Sequence, residues 1–245
     1  MNDKISVLVS ARKNSKFLAK FLMGYFGRTD NQTDTEILVM LNAEDTWNAD
    51  LAHYFWDRSL VRFYSEDHKL GRAGLHQYFN DLLQHASGDW IVYFCEDHYI
   101  TLPGWDTYVR RVIAGLTVDG DAHGKKFPLD PNDIWVLVPQ FDNAGSMNHI
   151  VSRGFINALG DKIGNHGWID SYINDLMREF PDRVIRLDDV TFHDFTHDQP
   201  NPMSDAHHQA VLGPEADKLP AYGGGAYERL VIDDREKIKK ALGGK

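Results

Sequence analysis

The stretch Gly88-Asp-Trp-Ile-Val-Tyr-Phe-Cys-Glu-Asp-His-Tyr99 constrains this chain most, because a continuous apolar run from Trp90 to Cys95 leads straight into adjacent acids. An apolar run this short, without polar alternation, reads as a strand covered on both faces, the usual state of a central strand in an α/β sheet. Glu96, Asp97 and His98 then emerge at its carboxyl end, where open α/β sheets hold their ligands. Adjacent carboxylates repel each other, and a divalent cation, Mg²⁺ or Mn²⁺, set between them and a phosphate relieves that repulsion. The plainer reading is a polar turn after a strand.

The chain before this stretch repeats the same logic. Ile5–Ser10 and Glu36–Leu41 are β-branched, apolar runs that predict strands, and Leu60–Tyr64 is a weaker third. Phe17, Leu18, Phe21, Leu22, Tyr25 and Phe26 recur with helical spacing, and so do Leu75, Tyr78, Phe79, Leu82, Leu83 and Ala86. Gly88 is the expected stop of the second helix. Strand–helix alternation of this kind predicts a mostly parallel, doubly wound sheet, with right-handed crossovers bringing the strand ends to one edge. Ser10–Asn14, Asn42–Asp45 and Glu96–His98 should therefore face one crevice of nucleotide size.

Beyond the apolar run, residues 117–133 are rich in Gly, Asp, Lys and Pro and read as a surface loop. Strand character returns at Ile134–Val138 and Met147–Val151, Ser152 is placed to cap a helix over Arg153–Gly160, and His166–Phe180 carries another apolar helical stripe with Asp170 off it. Val184–Leu187 predicts a short strand, followed by the histidine-rich Phe192–Asp198. Gly223–Gly225 reads as a hinge or turn and Asp233–Leu242 as a polar helix or a frayed tail.

At 245 residues with 42% hydrophobic content the chain can build one large domain. No apolar run approaches a membrane span and the N-terminus lacks a signal pattern, so a cytoplasmic protein is expected. Cys95 is the single cysteine, which rules out an internal disulfide framework and any cysteine-based zinc cluster, and its place in an apolar run reads as packing rather than as a nucleophile. The net charge of −10 opposes general attraction to nucleic acid or anionic lipid, although Arg110, Arg111, Lys125 and Lys126 could form a local basic groove. His193, His197, His207 and His208 crowd into one region.

Taken in order, these features resemble the GT-A glycosyltransferases, in particular the large family that moves sugars from nucleotide diphosphates. Asn80 lies eight residues before Gly88, the spacing that family shows, and Asp97 falls on the last aspartate of its Asp-x-Asp metal motif. Cys95 stands in the first aspartate's place, Glu96 in the middle, and Tyr78-Phe79 replaces the usual Ala-Arg. Met147–Arg153 is similar to the segment serving the acceptor side, Gly167-Trp-Ile-Asp170 to the one holding the catalytic carboxylate, and Asp189-Val190 with His193 and His197 to the closing histidine segment. The resemblance spans about residues 4–200 and rests on order and spacing.

The resemblance implies a single GT-A, Rossmann-like domain over residues 1–200, with a donor half to about residue 100, an acceptor half after it, and residues 201–245 as an extension. It implies a metal-dependent hexosyl- or pentosyltransferase using a nucleotide-diphosphate sugar. Asp97 is the expected ligand of Mn²⁺ or Mg²⁺, with Glu96, His197 and His193 as further candidates; a histidine ligand would favour Mn²⁺. Ser10, Ala11, Arg12, Glu44, Asp45, Arg72, Asn80 and Glu96 are expected around the nucleotide, with Lys69 as a second cation for the phosphates. Asp170 is the expected general base if transfer inverts configuration; in a retaining enzyme it has no such role. The acceptor is open between a glycan, which is favoured, and a modified nucleic-acid base, while a lipid-linked acceptor is disfavoured by the absence of a membrane span or a basic amphipathic helix. Two other functions compete. A sugar nucleotidyltransferase would place a glycine-rich phosphate loop after its first strand, and Ser10–Asn14 has no glycine. A non-catalytic nucleotide- or carbohydrate-binding protein would tolerate the missing first aspartate. A histidine metallohydrolase would need a motif such as His-Glu-x-x-His, which is not present.

Overall fold

A computed structural model describes residues 3–11, 15–42, 61–66, 74–116, 128–141, 148–194 and 221–243. Each apolar run of the N-terminal part forms a strand: β1 (Ile5–Ala11), β2 (Thr35–Asn42), β3 (Val61–Glu66) and β4 (Trp90–Cys95). They pair in parallel in the order β3-β2-β1-β4. Helix α1 (Ser15–Arg28) packs on the face carrying Val7, Val9, Val92 and Phe94, whereas α2 (Leu75–Leu83) packs on the face carrying Leu8, Leu38, Ile91 and Tyr93. The chain thus runs outward from β1 to β3 on one side and returns on the other side of β1 as β4. The β1/β4 boundary is therefore the point where the winding reverses, and ligand sites of open α/β sheets form there.

The second half extends the sheet. A tight turn after β4 leads to β5 (His98–Ile100), then come α3 (Trp105–Ile113), β6 (Val136–Phe141), β7 (Ile150–Ser152), α4 (Arg153–Ala158), α5 (Ile169–Met177), a 3₁₀ turn at Pro181–Arg183, β8 (Val184–Asp194) and α6 (Gly225–Ala241). The eight strands lie in the order β3-β2-β1-β4-β7-β6-β8-β5. Four of the seven pairings are parallel, and the antiparallel ones involve β7 and β5. The β6–β8 register shifts between Pro139 and Gln140; a proline cannot donate to the ladder, so strands tolerate it at such irregularities.

Three sequence expectations change. Gly88 does not stop α2, which ends with Gln84 as its C-cap. Its N–H donates to Ser6 Oγ at 2.8 Å, and a Cβ there would lie 2.6 Å from the Ser6 nitrogen, so glycine is required by the approach of β1. The strand expected at Val184–Leu187 continues to Asp194 and takes in His193, because pairing with β5 extends it. Of the polar helix or frayed tail expected over Asp233–Leu242 the helix forms, but it begins at Gly225 and is docked, with Tyr227, Val231, Asp234 and Ile238 buried. Ser152 caps α4 as expected, accepting from the Phe155 N–H. No helix among the described residues is long and apolar enough to cross a membrane.

At the sheet edge opposite the crevice, Glu36 is buried among donors. Ser6 Oγ donates to it at 2.6 Å and the Ser87 N–H at 2.7 Å; Lys4 stands 3.2 Å away and Arg62 is in direct contact. Burial works to raise its pKa, but these hydrogen bonds outweigh burial and hold it at about 2. A carboxyl lowered on folding contributes stability above its unfolded pKa and loses it as pH falls through the folded value. Glu36 should therefore contribute about 2 kcal/mol at neutral pH, lost between about pH 4.5 and pH 2. Urea unfolding of Glu36→Gln across that range checks this: the variant should be less stable at pH 7 and nearly equal to the parent at pH 2.

Candidate active site

The parallel register places Ser10 opposite Cys95 at the ends of β1 and β4, and the Glu96 N–H donates to the Ser10 carbonyl at 3.1 Å. Alternation along the strands puts Ser10, Tyr93 and Cys95 on the α2/α5 face and Ala11 on the α1 face. The turn at Glu96–Asp97 then folds the chain back as β5, so Cys95, Asp97 and His98 converge. Their ligand atoms all lie within 4.8 Å of one another. Asp97 Oδ1 is sealed from solvent and has no hydrogen-bond partner among the described residues; the His98 Nε2 stands 3.7 Å away. A buried carboxylate oxygen without a donor is costly, and a cation between these groups would satisfy it.

A second layer holds this turn. Asn148 sits at φ 57°, a left-handed conformation that asparagine tolerates, and its Nδ2 lies 2.7 Å from His98 Nδ1. The Cys95 N–H also donates to that nitrogen, at 3.3 Å. Behind them Tyr93 Oη lies 3.0 Å from His149 Nδ1, and His149 Nε2 lies 2.9 Å from Asn174 Oδ1, which joins β4 to α5 through the buried Tyr93 and His149 and the exposed Asn174. Complete burial lowers the His149 pKa, so the ring is neutral and donates from Nε2.

Asp170 sits in the first turn of α5, partly exposed. It lies within electrostatic reach of the hydroxyls of Tyr93 and Tyr227, and Tyr93 in turn feels Cys95. Burial, with Asp170 adding to it, pushes the Tyr93 pKa well up, so this hydroxyl stays protonated between the two. The approach to Asp170 is clamped by Asn80, whose Nδ2 donates to the Gly164 carbonyl at 3.0 Å and whose Oδ1 accepts from the Ile163 N–H at 2.9 Å. Asn80, expected beside the nucleotide, has both ends of its amide on this loop.

Of the other residues expected in the site, Glu96 lies in the turn but outside the converging group, and His193 pairs with Tyr99 on β8, one position from the pairing of His98 with Asp194. Alternation puts its side chain on the face away from His98. Arg12, Glu44, Asp45, Lys69, Arg72 and His197 lie outside the described residues, as do Lys125 and Lys126. Arg153 is at the far edge: Ser152 pairs with Trp90, and the guanidinium donates to the Ala86 and Gly88 carbonyls at 3.2 and 2.5 Å. The part of this segment that reaches the crevice is Asn148-His149.

No protein family profile and no curated protein sequence matches the chain. Solved structures do. Staphylococcus aureus TarS superposes with a TM-score of 0.58 at 12% identity, over 96% of this chain and 43% of that one. The fold is that of the GT-A glycosyltransferases. A TarS fragment of residues 1–349 in complex with UDP-GlcNAc matches with a TM-score of 0.58 and 12% identity, over 98% of this chain and 80% of the fragment. The mannosyltransferase PcManGT from Pyrobaculum calidifontis, in complex with GDP-Man and Mn²⁺, gives a TM-score of 0.57 at 14% identity, over 98% and 74% of the two chains. The chain thus spans less than half of full-length TarS. Within a GT-A fold, the converging Cys95, Asp97 and His98 stand at the carboxyl ends of the parallel strands, at the β1/β4 reversal.

Proposed function

We propose that this protein is a cytoplasmic glycosyltransferase that moves a sugar from a nucleotide-diphosphate donor to a hydroxyl acceptor, with a divalent cation held at Asp97. The observation that carries the reading is the buried Asp97 Oδ1 at the strand-reversal point, which accepts no hydrogen bond from the described residues. The UDP-GlcNAc and GDP-Man/Mn²⁺ complexes of the structural neighbours support it. Residues to about 100 form the donor half and 101–200 the acceptor half, with the C-terminal segment docked behind the latter.

Ser10 and Ala11, at the end of β1, border the donor crevice, and Arg12, Glu44, Asp45 and Arg72 are assigned to the nucleotide and its phosphates. A divalent ion held at Asp97 would supply Lewis-acid neutralisation of the departing diphosphate. In an inverting transfer the acceptor oxygen attacks the anomeric carbon as the bond to the diphosphate oxygen breaks, and Asp170 accepts the hydroxyl proton. Trp168, two residues before Asp170 in the chain, and Tyr222 stay 40% and 53% exposed, and both contact His166, Trp168 through its N–H and Tyr222 through its ring. Flat apolar surfaces beside a base suit the face of a sugar ring, so a glycan is the acceptor we favour.

Calorimetric titration with a panel of nucleoside diphosphates, with and without Mn²⁺, tests the reading. One nucleotide should bind in a metal-dependent way, and Asp97→Ala should weaken that binding by about 100-fold or more, since even outer-shell changes at metal sites cost about 10–100-fold. Absence of metal-dependent binding to every nucleotide would overturn it in favour of a binding protein on an inherited fold.

A further inference from the structure

Nothing in an oxygen-only metal motif accounts for Cys95 and His98, yet the fold brings both to Asp97. Cys95 is the last residue of β4 and shares the face of Tyr93, while the turn at Glu96–Asp97 returns His98 to the same point. The spacing fits one ion. Two ligands of a tetrahedral zinc, each about 2.1 Å from it, stand about 3.4 Å apart; His98 Nε2 and Asp97 Oδ1 are 3.7 Å apart, with the Cys95 sulfur inside the same 4.8 Å group. One of the three, Asp97 Oδ1, is buried without a hydrogen bond from the described residues.

From this convergence we infer that Cys95, Asp97 and His98 form a mixed sulfur–oxygen–nitrogen metal site, which selects a thiophilic divalent ion such as Zn²⁺ or Co²⁺ over Mg²⁺. The inference deepens the metal role given to Asp97 above and rests on that reading only for what the ion does to the donor. Soft thiolate and imidazole ligands favour zinc-like ions, whereas Mg²⁺ prefers oxygen donors and retains its water. Three protein ligands leave further positions open for diphosphate oxygens, as catalytic sites require. On binding, the S–H bond of Cys95 gives way to a metal–sulfur bond and the proton leaves to solvent.

Asn148 is the positioning residue of this site. It holds Nδ1 of His98 and leaves Nε2 turned toward Asp97. For the metal to take Nε2, the ring hydrogen must sit on Nδ1; the 3.3 Å bond from the Cys95 N–H is then given up, and the Asn148 amide, rotated by half a turn, presents its oxygen to Nδ1–H. Outer-shell partners of this kind fix the tautomer and orientation of a metal-bound histidine.

Co²⁺ titration of the full chain, followed by absorption, reads the sulfur directly, because a thiolate–cobalt bond adds a near-ultraviolet charge-transfer band. The band should saturate at one ion per chain, vanish in Cys95→Ser, and weaken with about 10–100-fold lower affinity in Asn148→Gly, which keeps the backbone conformation. Bound Zn²⁺ should shield Cys95 from alkylation, scored at a single site because the chain has one cysteine. Cys95→Asp should shift the Zn²⁺-to-Mn²⁺ affinity ratio toward Mn²⁺ by about 10-fold or more. Tight, Asp97-dependent Co²⁺ binding without the band, or a ratio unchanged by Cys95→Asp, would overturn the inference while leaving metal-dependent nucleotide binding untouched. A cysteine-dependent band in a protein that binds no nucleotide would uphold the metal site and remove the donor reading instead.

Discussion

Asp170→Asn is expected to lower kcat by about 10²–10⁴-fold, the usual contribution of a positioned general base. The substitution keeps the side chain's shape and its place in the first turn of α5 but removes the capacity to take a proton. An anion there is already favoured by the helix N-terminus, so the carboxylate alone would be an ordinary helix feature. What singles it out is its neighbourhood: Tyr93, which also senses Cys95, and Tyr227 both lie within its electrostatic reach, on the face where Cys95, Asp97 and His98 converge. Release of nucleoside diphosphate from the donor, with water as acceptor, gives the rate, and titration with the same nucleotide gives the affinity. A kcat loss with affinity retained is the expected pair of results. Wild-type kcat with weakened binding would move Asp170 from proton transfer to donor positioning.

How much of this was legible in the sequence depended on whether the signal was local. The Trp90–Cys95 run predicted a central strand because apolar continuity is a local property, and the GT-A resemblance then followed from spacing alone. The identity of the converging ligands was not local. Cys95 reads as packing while it sits in an apolar run, and only the turn at Glu96–Asp97, which sends β5 back along β8, makes its sulfur a neighbour of Asp97 and His98. The i, i+2, i+3 spacing of Cys95, Asp97 and His98 was the available sign, since a two-residue turn brings such positions to one point. Asn80 shows the reverse case. Its spacing to Gly88 matched the family, yet its amide is spent on the backbone of Ile163 and Gly164, more than 80 residues away, which no sequence window contains.

Helix α6 was read too short, and left open between a polar helix and a tail, for a different reason. Reading it from Asp233 onward yields a polar segment, whereas Tyr227, Val231, Asp234 and Ile238 form a stripe at four- and three-residue spacing once it begins at Gly225. The stripe includes a charge, and a buried aspartate breaks the apolar pattern that marks a docked helix. That aspartate is what ties the C-terminal segment to Asn165 and to Tyr172 of α5.

Asp234→Ala is expected to destabilise the protein by about 3–5 kcal/mol, the range for removing one partner of a buried charged cluster. Asp234 is fully buried and accepts from the Tyr172 hydroxyl, from Asn165 Nδ2 at 2.8 Å and from Lys237 Nζ at 2.5 Å. Lys237 is half-exposed and can turn to water, but Tyr172 is not exposed at all, so its hydroxyl would be left without an acceptor. For a chain of this length the loss corresponds to a fall in Tm on the order of 10 °C. A double-mutant cycle separates the hydroxyl from the rest: Tyr172→Phe should cost about 1–2 kcal/mol in the parent and far less, or nothing, in Asp234→Ala, because the orphaned hydroxyl is then removed with its partner. The functional consequence follows from position. Asn165 and Tyr172 bracket Asp170 in the chain, and α6 packs on the helix that carries it. Asp234→Ala should therefore lower kcat even at temperatures where the variant is folded, with nucleotide affinity preserved, because α6 packs chiefly on α4 and α5 rather than directly on β1 or β4. Equal stability of the variant and the parent would mean that the C-terminal helix rests on the domain without holding its acceptor side.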